Sequence, residues 1–444
     1  MKCLIIAAGK GSRLQHRGDS KPLIPILGMP LIERVIRAAM EAGAEEFYVV
    51  IGYQGERVRL FLERLAERLA IGIVPLMNDD WDKDNGLSVL KAQGVLHEPF
   101  LLLMADHLFD PNLVRPLTTL TLEDGEIALV VDGNTRNPLV DMDDVTRVKV
   151  EDGMSNGKIR NIGKGLADFT GFDTGCFLCS TGIFKALEQS NEKDGDTTLS
   201  GAVRVLAAEG HVKAIPTDDF WIDVDDPAAF RKAEQALLNR LRDKPNDGPV
   251  ARYLNRPISV RISRHLVKYN VTPNQISGFS FLCSVLGAGL FAVGGYVALL
   301  LGGVLAQFAS IIDGCDGEVA RLKYQSSDFG GWFDAVLDRY ADAFLLFGLT
   351  WHLLAVDANG WVLFAGFMAI IGSFMLSYTA DKYDNLMRDR VRAGSKGGLR
   401  MGRDVRVFLI FLGAAANLVL PVLVVIAVVM NVETVRRVRV ASVD

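Results

Sequence analysis

Long apolar stretches between Ile276 and Val432 constrain this chain more than any other feature of its sequence. About 20 consecutive apolar residues are enough for a helix to cross the hydrocarbon core of a bilayer. Most of the charged residues lie in residues 1–270, so the positive mean hydropathy of +0.22 belongs to one half of the chain. We therefore expect a soluble N-terminal half and a membrane-embedded C-terminal half.

Charge and cysteine usage narrow the class of protein further. With 48 basic and 53 acidic residues, the chain lacks the basic excess of a nucleic-acid binder. Its opening apolar run is short and lacks the cleavage signature of a secretory signal peptide, so we expect the N-terminal half to be cytosolic. The five scattered cysteines are typical of a reducing compartment, and Cys176 and Cys179 are expected to be buried structural thiols on a strand.

A glycine-rich loop follows the first apolar strand, residues 3–8, in the run A-A-G-K-G-S-R-L. Gly9 and Gly11 let the backbone approach phosphate oxygens, and successive amides in such a loop form an anion-binding concavity. Arg13 and the later Lys21 of K-P-L supply positive charge. Because strands alternate with helices here, we expect a parallel α/β sheet with this loop at its carboxyl edge.

Acidic residues follow two further strands of the N-terminal half. Asp106 ends the strand F-L-L-L-M-A-D, where an open α/β sheet has its ligand crevice, although a helix cap or a turn would also explain it. In W-I-D-V-D, alternation puts Asp223 and Asp225 on one side of the chain. These carboxylates suit Mg²⁺ or Mn²⁺ held across a nucleoside triphosphate.

The combined motifs resemble the sugar-phosphate nucleotidyltransferase family over residues 1 to about 235. By that resemblance Lys21 steadies charge on the α-phosphate, and Asp106 with Asp223 or Asp225 binds the metal. The resemblance also implies triphosphate contacts from Gly9, Gly11, Ser12 and Arg13. Base and sugar-phosphate contacts are implied at Asn85-Gly86 before Ser88, at Lys164 and at the D-T-G turn 173–175, with ordinary turn or surface roles as the alternative.

The run K-P-N-D-G-P at 244–249 breaks a terminal helix and marks a domain boundary. The following basic amphipathic segment, 252–269, is expected to lie on anionic headgroups, with a solvated helix face as the alternative. We predict a nucleotidyltransferase domain at 1–240, a linker and juxtamembrane helix at 241–275, and a membrane domain at 276–444.

The membrane half is predicted to be all α-helical, with about six transmembrane helices. Spans are expected near residues 276–296, 297–314, 331–354 and 360–380, followed by an apolar region at 405–430. An even number of crossings puts all the Lys and Arg clusters of this half on the cytosolic side. The last region is short for two crossings, so five spans remain the alternative.

Four aspartates in this half follow the pattern D-x-x-D-G-x-x-A-R-x8-G-x3-D-x3-D. Asp313 and Asp316 share one helix face, as do Asp334 and Asp338, and a short cytosolic loop brings the two faces together. Four carboxylates that close would repel one another without divalent cations. Glycines 317 and 330 leave room between the helices for a nucleotide.

This pattern resembles the signature of the CDP-alcohol phosphatidyltransferase family, from about Arg252 to the end of the chain. The resemblance implies that the four aspartates bind one or two Mg²⁺ or Mn²⁺ ions on the diphosphate, and that Gly317, Ala320 and Arg321 help to seat the CDP. It also implies that Asp338 takes the proton of the acceptor hydroxyl as CMP leaves.

Three further motifs lie in the membrane half, N-R-P-I-S at 255–259, V-T-P-N at 271–274 and G-R-D-V-R at 402–406. With them, the sequence as a whole resembles the family that joins an inositol-1-phosphate cytidylyltransferase to a di-myo-inositol-phosphate-phosphate synthase. In that family CTP and inositol 1-phosphate give CDP-inositol, which reacts with a second inositol 1-phosphate. The resemblance implies a homodimer in the cytoplasmic membrane, surrounded by lipid, with both active sites facing the cytosol. Besides Lys164, the candidate cations for the acceptor phosphate are Arg256, Lys382, Arg403 and Arg406, with topology signals as the alternative.

Two other functions remain open at this point. A phospholipid synthase that takes CDP-diacylglycerol or CDP-archaeol would use the same four aspartates, with a regulatory or separately acting N-terminal domain. A transporter or scaffold would use the N-terminal half only to bind nucleotide, and the complete metal-site spacing disfavours it.

Overall fold

The computed structural model describes residues 1–151, 153, 157–242, 247–386 and 401–442, without the side chains of 381–386 and 440–442. The chain forms two compact units, Met1–Ala236 and Leu237–Asp444. The first unit is built around a β-sheet and the second is helical.

The first unit contains both strands and helices. Its strands are β1 (Lys2–Ala7), β2 (Pro25–Ile26), β3 (Met29–Pro30), β4 (Glu46–Ile51), β5 (Gly72–Met77), β6 (Phe100–Met104), β7 (His107–Phe109), β8 (Ile127–Asp132), β9 (Arg147–Val150), β10 (Ile159–Gly163), β11 (Gly171–Cys179), β12 (Val212–Thr217) and β13 (Trp221–Asp223). Its α-helices are α1 (Leu31–Ala42), α2 (Gly55–Leu69), α3 (Asn85–Leu90), α4 (Pro111–Thr119), α5 (Gly182–Asp194), α6 (Leu199–Ala208) and α7 (Pro227–Arg242), which runs into the second unit. Short 3₁₀ turns cover Ser12–Arg17 and Lys21–Leu23.

The central sheet has nine strands in the described part of the chain, in the order β10-β9-β11-β6-β1-β4-β5, with β8 beside β11 and β12 beside β8. Strands β6, β1, β4 and β5 are parallel. Strand β11 runs antiparallel to β6, β8 and β9, so the predicted parallel sheet is wrong and the sheet is mixed. Parallel neighbours need a long crossover connection, usually an α-helix. No described helix lies between β9 and β11, so these two strands are antiparallel.

Alternating residues of the central strands enter two different hydrophobic cores. Ile5, Val49 and Leu103 pack on one face of the sheet, whereas the adjacent residues of the same strands pack on the other face. Helices α1 and α4 cover the first face, and α3, α5 and α6 cover the second. Strands that are buried on both faces have nearly continuous apolar sequences, so these strands could be predicted from the sequence.

The sheet topology positions the expected nucleotide site. Because β1 and β6 are parallel neighbours, the glycine loop and Asp106 emerge at the same edge. Strand β13 pairs antiparallel with β7, and this register sets Asp223 directly opposite His107. The segment W-I-D-V-D therefore reaches the same edge by a separate two-stranded ribbon.

The second unit is a helical bundle. A short π-helical turn, Ala251–Asn255, precedes α8 (Arg256–Leu266), α9 (Pro273–Val293), α10 (Tyr296–Leu322), α11 (Asp328–Val356), α12 (Gly360–Leu386), α13 (Arg403–Ala415) and α14 (Val419–Ser442). Among the described residues, four helices are long and apolar enough to cross a membrane: α9, α10, α12 and α14. Helix α11 is long but carries several charged residues, and α13 has 13 residues, so length and composition do not establish the predicted six spans.

Small residues allow the helices of the second unit to approach closely. A side chain added to Gly302 of α10 would lie 2.8 Å from the carbonyl oxygen of Gly287 of α9. One added to Gly348 of α11 would lie 2.5 Å from the carbonyl oxygen of Ala288. Tight contacts through small residues are typical of helix packing in membranes.

Candidate active sites

A cavity of about 370 Å³ opens at the carboxyl edge of the first unit's sheet. Most of the predicted residues of the N-terminal half line it, namely Gly9, Arg13, Lys21, Asn85, Ser88, Asp106, Lys164, Asp173, Gly175, Asp223 and Asp225. Gly11, Ser12 and Gly86 are not among the lining residues. The structure therefore brings residues from distant parts of the sequence around one space large enough for a ligand.

The ammonium group of Lys21 lies between two carboxylates at the floor of this cavity. Its Nζ donates to Asp106 Oδ2 at 2.6 Å and also to Asp225. Burial acts to lower the pKa of Lys21, but the negative charges of these two aspartates outweigh it and raise the pKa. Lys21 is therefore a fixed positive charge at the floor of the cavity, and its contact with a phosphate stays a prediction.

Gly11 makes room for this lysine. Its φ of +62° is a left-handed conformation, and a Cβ at Gly11 would lie 2.4 Å from Cβ of Lys21. Gly11 therefore has a packing role behind the cavity in addition to the phosphate contact expected from the sequence.

Asp106, His107 and Asp223 form a cluster whose candidate ligand atoms all lie within 4.8 Å of one another. Burial opposes the charged form of His107, but Asp223, Asp106 and a bond to the Thr174 carbonyl raise its pKa to about 10. Although burial acts in the opposite direction, Lys21 and His107 lower the pKa of Asp106. Sequence reasoning missed His107, although it directly follows the strand-end aspartate.

Asp225 differs from Asp223 in its surroundings. Burial and the neighbouring charge of Asp223 raise the pKa of Asp225, whereas Lys21 acts to lower it. One carboxylate oxygen of Asp223 is buried without a hydrogen-bond partner in the described structure. Asp225 uses Oδ1 to accept from Lys21, whereas Asp223 has a buried oxygen that no described group contacts.

Arg13 and Lys164 share a carboxylate that sequence reasoning missed. Arg13 Nη1 donates to Asp144 Oδ2 at 2.8 Å, and Lys164 donates to the other oxygen of Asp144. Hydrogen bonds from Lys164 and Arg13 lower the pKa of Asp144. Asp144 carries no sequence motif, so only the fold reveals that it holds these two cations at the cavity.

The predicted base-pocket residues also have structural contacts. The side chain of Asn85 accepts from the backbone amide of Leu199 at 2.9 Å, and Ser88 accepts from Asn78 at 3.0 Å. A Cβ on Gly86 would lie 2.3 Å from the carbonyl oxygen of Thr197. These contacts hold α3 against the start of α6, and a role in base recognition stays a prediction.

In the second unit, helices α10 and α11 bring the four motif aspartates together. Carboxylate oxygens of Asp313, Asp334 and Asp338 lie within 4.8 Å of one another. Asp316 accepts a hydrogen bond from Ser277 and lies within hydrogen-bonding reach of Asp334. The two helix faces therefore meet, as the spacing of the motif predicted, and metal binding by the four aspartates stays a prediction.

Arg403 and Arg406 reach this cluster from α13. Arg403 Nη1 lies 2.7 Å from Asp313 and 2.6 Å from Asp338. Asp342, one turn beyond Asp338, pairs with Arg406 and lies 3.3 Å from Arg403 Nε. Sequence reasoning missed Asp342, although it continues the four-residue spacing of the motif.

Arg256 is held at a different point of the second unit. Its Nε donates to Asp247 at 2.6 Å, and its Nη1 donates to the fully buried Glu318 at 2.8 Å. Burial acts to lower the pKa of Arg256, but both carboxylates raise it. In α10, Ala320 is buried, and a Cβ on Gly317 would lie 3.4 Å from Arg321. The side chain of Lys382 lies outside the described residues.

Comparison with known proteins assigns the two halves to families. Residues 3–213 match the MobA-like NTP transferase domain, and residues 270–437 match CDP-alcohol phosphatidyltransferase. A protein of Rubrobacter xylanophilus named "Bifunctional IPC transferase and DIPP synthase" is 38% identical over 98% of this chain and 94% of its own length. A protein of the same name from Aquifex aeolicus is 32% identical over 97% of this chain and 96% of its own length.

The chain belongs to this bifunctional family. It therefore combines a nucleotidyltransferase with a CDP-alcohol phosphotransferase. Among solved structures, the inositol-1-phosphate CTP transferase from T. maritima aligns at 24% identity and a TM-score of 0.46, over 53% of this chain and 93% of that one.

Both acidic clusters of this bifunctional protein have the chemistry of a divalent-cation site. Each contains a buried carboxylate oxygen without a hydrogen-bond partner in the described structure, on Asp223 and on Asp334. A buried polar atom left unpaired costs about 1–3 kcal/mol, and a bound cation would remove that cost. The residues therefore fit a metal ion in both halves.

Proposed function

We propose that the chain makes a CDP-alcohol in its N-terminal half and consumes it in its membrane half. In the first reaction, CTP and inositol 1-phosphate give CDP-inositol and pyrophosphate. In the second, CDP-inositol and another inositol 1-phosphate give di-myo-inositol phosphate phosphate and CMP. The observation that carries the proposal is the resemblance to named bifunctional enzymes over 98% of the chain, together with a separate acidic cluster in each half.

In the N-terminal reaction, a phosphate oxygen of inositol 1-phosphate attacks the α-phosphorus of CTP, and the bond to pyrophosphate breaks. Lys21, fixed by Asp106 and Asp225, stabilises the charge that develops at the α-phosphate. Arg13 and Lys164, which share Asp144, neutralise the remaining phosphates. The backbone amides of Gly9, Gly11 and Ser12 donate to the triphosphate. Asn85 contacts the cytosine base. Catalysis is then mostly positioning and electrostatics.

In the membrane reaction, the acceptor hydroxyl attacks the β-phosphorus of CDP-inositol, and the bond to CMP breaks. We assign the hydroxyl proton to Asp338, and the seating of the CDP to Gly317, Ala320 and Arg321. The other three motif aspartates would hold a divalent cation in the membrane half, as Asp106 with Asp223 or Asp225 would in the N-terminal half. Mg²⁺ or Mn²⁺ bound there would neutralise the diphosphate and the leaving CMP.

Cations near Asp338 are needed for the phosphate of the acceptor. Arg403 is the best placed of the candidates because it already contacts Asp338. Arg406 is paired with Asp342, which also contacts Arg403. Arg256 is paired with Asp247 and Glu318, which makes it less available to an acceptor phosphate. Lys382 completes the proposed set.

We further propose about six transmembrane spans, α9 to α14, with both active sites on the cytosolic side of the cytoplasmic membrane. The confinement of Lys and Arg to one set of helix ends supports this orientation. Apolar outward side chains such as Phe347, Trp351 and Phe367 suit contact with lipid and with a second copy in a homodimer. We also propose a nucleotidyltransferase domain at 1–240, a linker with a juxtamembrane helix at 241–275, and a membrane domain at 276–444.

Two single-site variants of the full chain test this proposal. With CTP, labelled inositol 1-phosphate and Mg²⁺, Asp338→Asn should accumulate CDP-inositol and pyrophosphate without CMP. Asp106→Ala should make no CDP-inositol but should release CMP when CDP-inositol is added. Mixing the two variants should restore the final product.

Matched controls keep the comparison specific. Asp168→Ala removes an exposed carboxylate of the first unit, and Asp328→Asn changes the first turn of α11 outside the motif. Both should behave as wild type. Formation of CDP-inositol by Asp106→Ala at the wild-type rate would exclude the assignment of the N-terminal site.

A further inference from the structure

The imidazole of His107 lies between the two carboxylates with the best geometry for a metal in the N-terminal half. Its Nε2 is 3.5 Å from Asp223 Oδ2 and 3.9 Å from Asp106 Oδ1. Ligands bound at right angles about 2.1 Å from an ion stand about 3 Å apart, so these separations need only a small contraction. The three atoms therefore outline one side of a coordination sphere.

The other ring nitrogen fixes which atom is available. His107 Nδ1 lies 2.8 Å from the carbonyl oxygen of Thr174, and a carbonyl oxygen only accepts, so Nδ1 carries a hydrogen and donates it. This leaves Nε2 as the nitrogen that faces the carboxylates. Histidines that bind metals almost always donate their second ring nitrogen to a carbonyl or carboxylate in this way.

The fold fixes the ring from behind. Gly175 has a φ of +74°, and a Cβ there would lie 2.3 Å from Nδ1 of His107, so only glycine lets the D-T-G turn close against the ring. The pairing of β7 with β13 sets Asp223 opposite His107. Both features fix the orientation of the imidazole. Among the described residues, its polar contacts are with the Thr174 carbonyl, Asp106 and Asp223.

Asp223 provides an independent indication that a ligand belongs here. Its Oδ1 is buried without a hydrogen-bond partner in the described structure. Asp225, the alternative considered from the sequence, is not part of the group of Asp106, His107 and Asp223 atoms that lie within 4.8 Å of one another. Asp223 thus places Oδ2 beside the oriented nitrogen and has a second oxygen, Oδ1, without a partner among the described residues.

We propose that His107 is a metal ligand, so that the N-terminal catalytic metal has the mixed set Asp106, His107 and Asp223. This rests on the proposed cytidylyltransferase function for its catalytic meaning, but the coordination is a separate claim. Imidazole suits first-row ions such as Fe²⁺, Ni²⁺ and Zn²⁺, whereas oxygen ligands suit Mg²⁺ and Mn²⁺. The preference for Zn²⁺ over Mg²⁺ should therefore be greater at the N-terminal site than at the all-aspartate membrane site.

Pulsed electron paramagnetic resonance of Mn²⁺ bound to the full chain tests the proposal without relying on activity. A directly bound imidazole gives ¹⁴N modulation of the Mn²⁺ echo, whereas carboxylates do not. The sample contains no nucleotide, because a base nitrogen could contribute to the signal. We expect ¹⁴N modulation in wild type, its replacement by a ¹⁵N pattern when the histidines are ¹⁵N-labelled, and its loss in His107→Ala.

His97→Ala, which changes an exposed histidine of the same unit, is the matched control and should keep the modulation. The labelling arm needs no substitution, so it stands even if His107→Ala folds poorly. Absence of ¹⁴N modulation in wild type, or its persistence in folded His107→Ala, would overturn the proposal. Pyrophosphate release with Mg²⁺, measured on the same samples, tests the cytidylyltransferase function separately.

Discussion

Arg403 Nη1 lies 2.6 Å from the carboxylate of Asp338. The same nitrogen lies 2.7 Å from Asp313 on the neighbouring helix, so one guanidinium links both halves of the aspartate motif. Carboxylates this close repel one another unless a cation lies among them. Arg403 is therefore a built-in counter-charge of the membrane site, held from behind by Asp342.

Replacement of Arg403 should damage both the stability and the activity of the membrane half. Arg403→Lys keeps the charge but cannot make contacts from both Nη1 and Nε, and Arg403→Gln removes the charge. Breaking a buried ion pair costs about 3–5 kcal/mol, so thermal unfolding in detergent should shift down clearly for Arg403→Gln. CMP release should fall at least tenfold in both variants, and more in Arg403→Gln. Arg261→Gln, which changes an exposed arginine of α8, is the control.

Asp338→Asn and Asp313→Asn should differ in kind. Each removes one charge and approximately preserves shape and hydrogen bonding. A base that acts in the chemical step should affect turnover more than affinity for the CDP donor, whereas a primary metal ligand should weaken donor and metal binding together. We expect the first pattern for Asp338→Asn and the second for Asp313→Asn, measured by CMP release and by Mn²⁺ titration. Equal loss of donor affinity in both variants would remove the distinction.

The stability of the soluble unit should depend on pH through Asp173. Burial raises the pKa of Asp173 to about 6, above its ordinary value of 3.8. Between these pH values the unfolded chain loses the proton first, so the free energy of unfolding falls as pH rises from about 4 to 6 and stays lower above. Asp173→Asn, which still accepts from the amide of Gly175, should raise stability by about 3 kcal/mol at pH 8 and change little at pH 4. Thermal unfolding of the full chain at both pH values measures this, and an equal effect at both would contradict the assignment.

Cysteine labelling tests the proposed topology. All five natural cysteines are buried, which keeps the background low. In intact cells Asn359→Cys, between α11 and α12, should react with an impermeant thiol reagent. Gln325→Cys, between α10 and α11, and Arg437→Cys, near the end of α14, should react only after permeabilisation. Labelling of Arg437→Cys from outside would mean an odd number of spans.

Local patterns predicted much of the architecture because their signals are short-range. The apolar runs of β1, β4 and β6 and the helices α9 to α12 were expected close to where the structure has them. The mixed sheet was not, because the direction of β11 is set by its partners and not by its own residues. Cys176 and Cys179 are free and buried on this strand, as expected.

The same limit applies to the two sites. Motif residues such as Lys21, Asp106 and Asp338 are found where spacing and strand ends predicted them. His107, Asp144 and Asp342 were missed because their roles depend on partners that are distant in sequence. Asp144 lies 131 residues from Arg13, and no local pattern could have paired them.

The choice of CDP donor tests the central claim most directly. The purified full chain, with inositol 1-phosphate and Mg²⁺, is given either CDP-inositol or CDP-diacylglycerol, and CMP release is measured. Asp338→Asn serves as the control for transfer at the membrane site.

We predict rapid CMP release from CDP-inositol, at least a hundredfold slower release from CDP-diacylglycerol, and loss of both in Asp338→Asn. Faster release from CDP-diacylglycerol, again dependent on Asp338, would contradict the proposal and identify the membrane half as a phospholipid synthase.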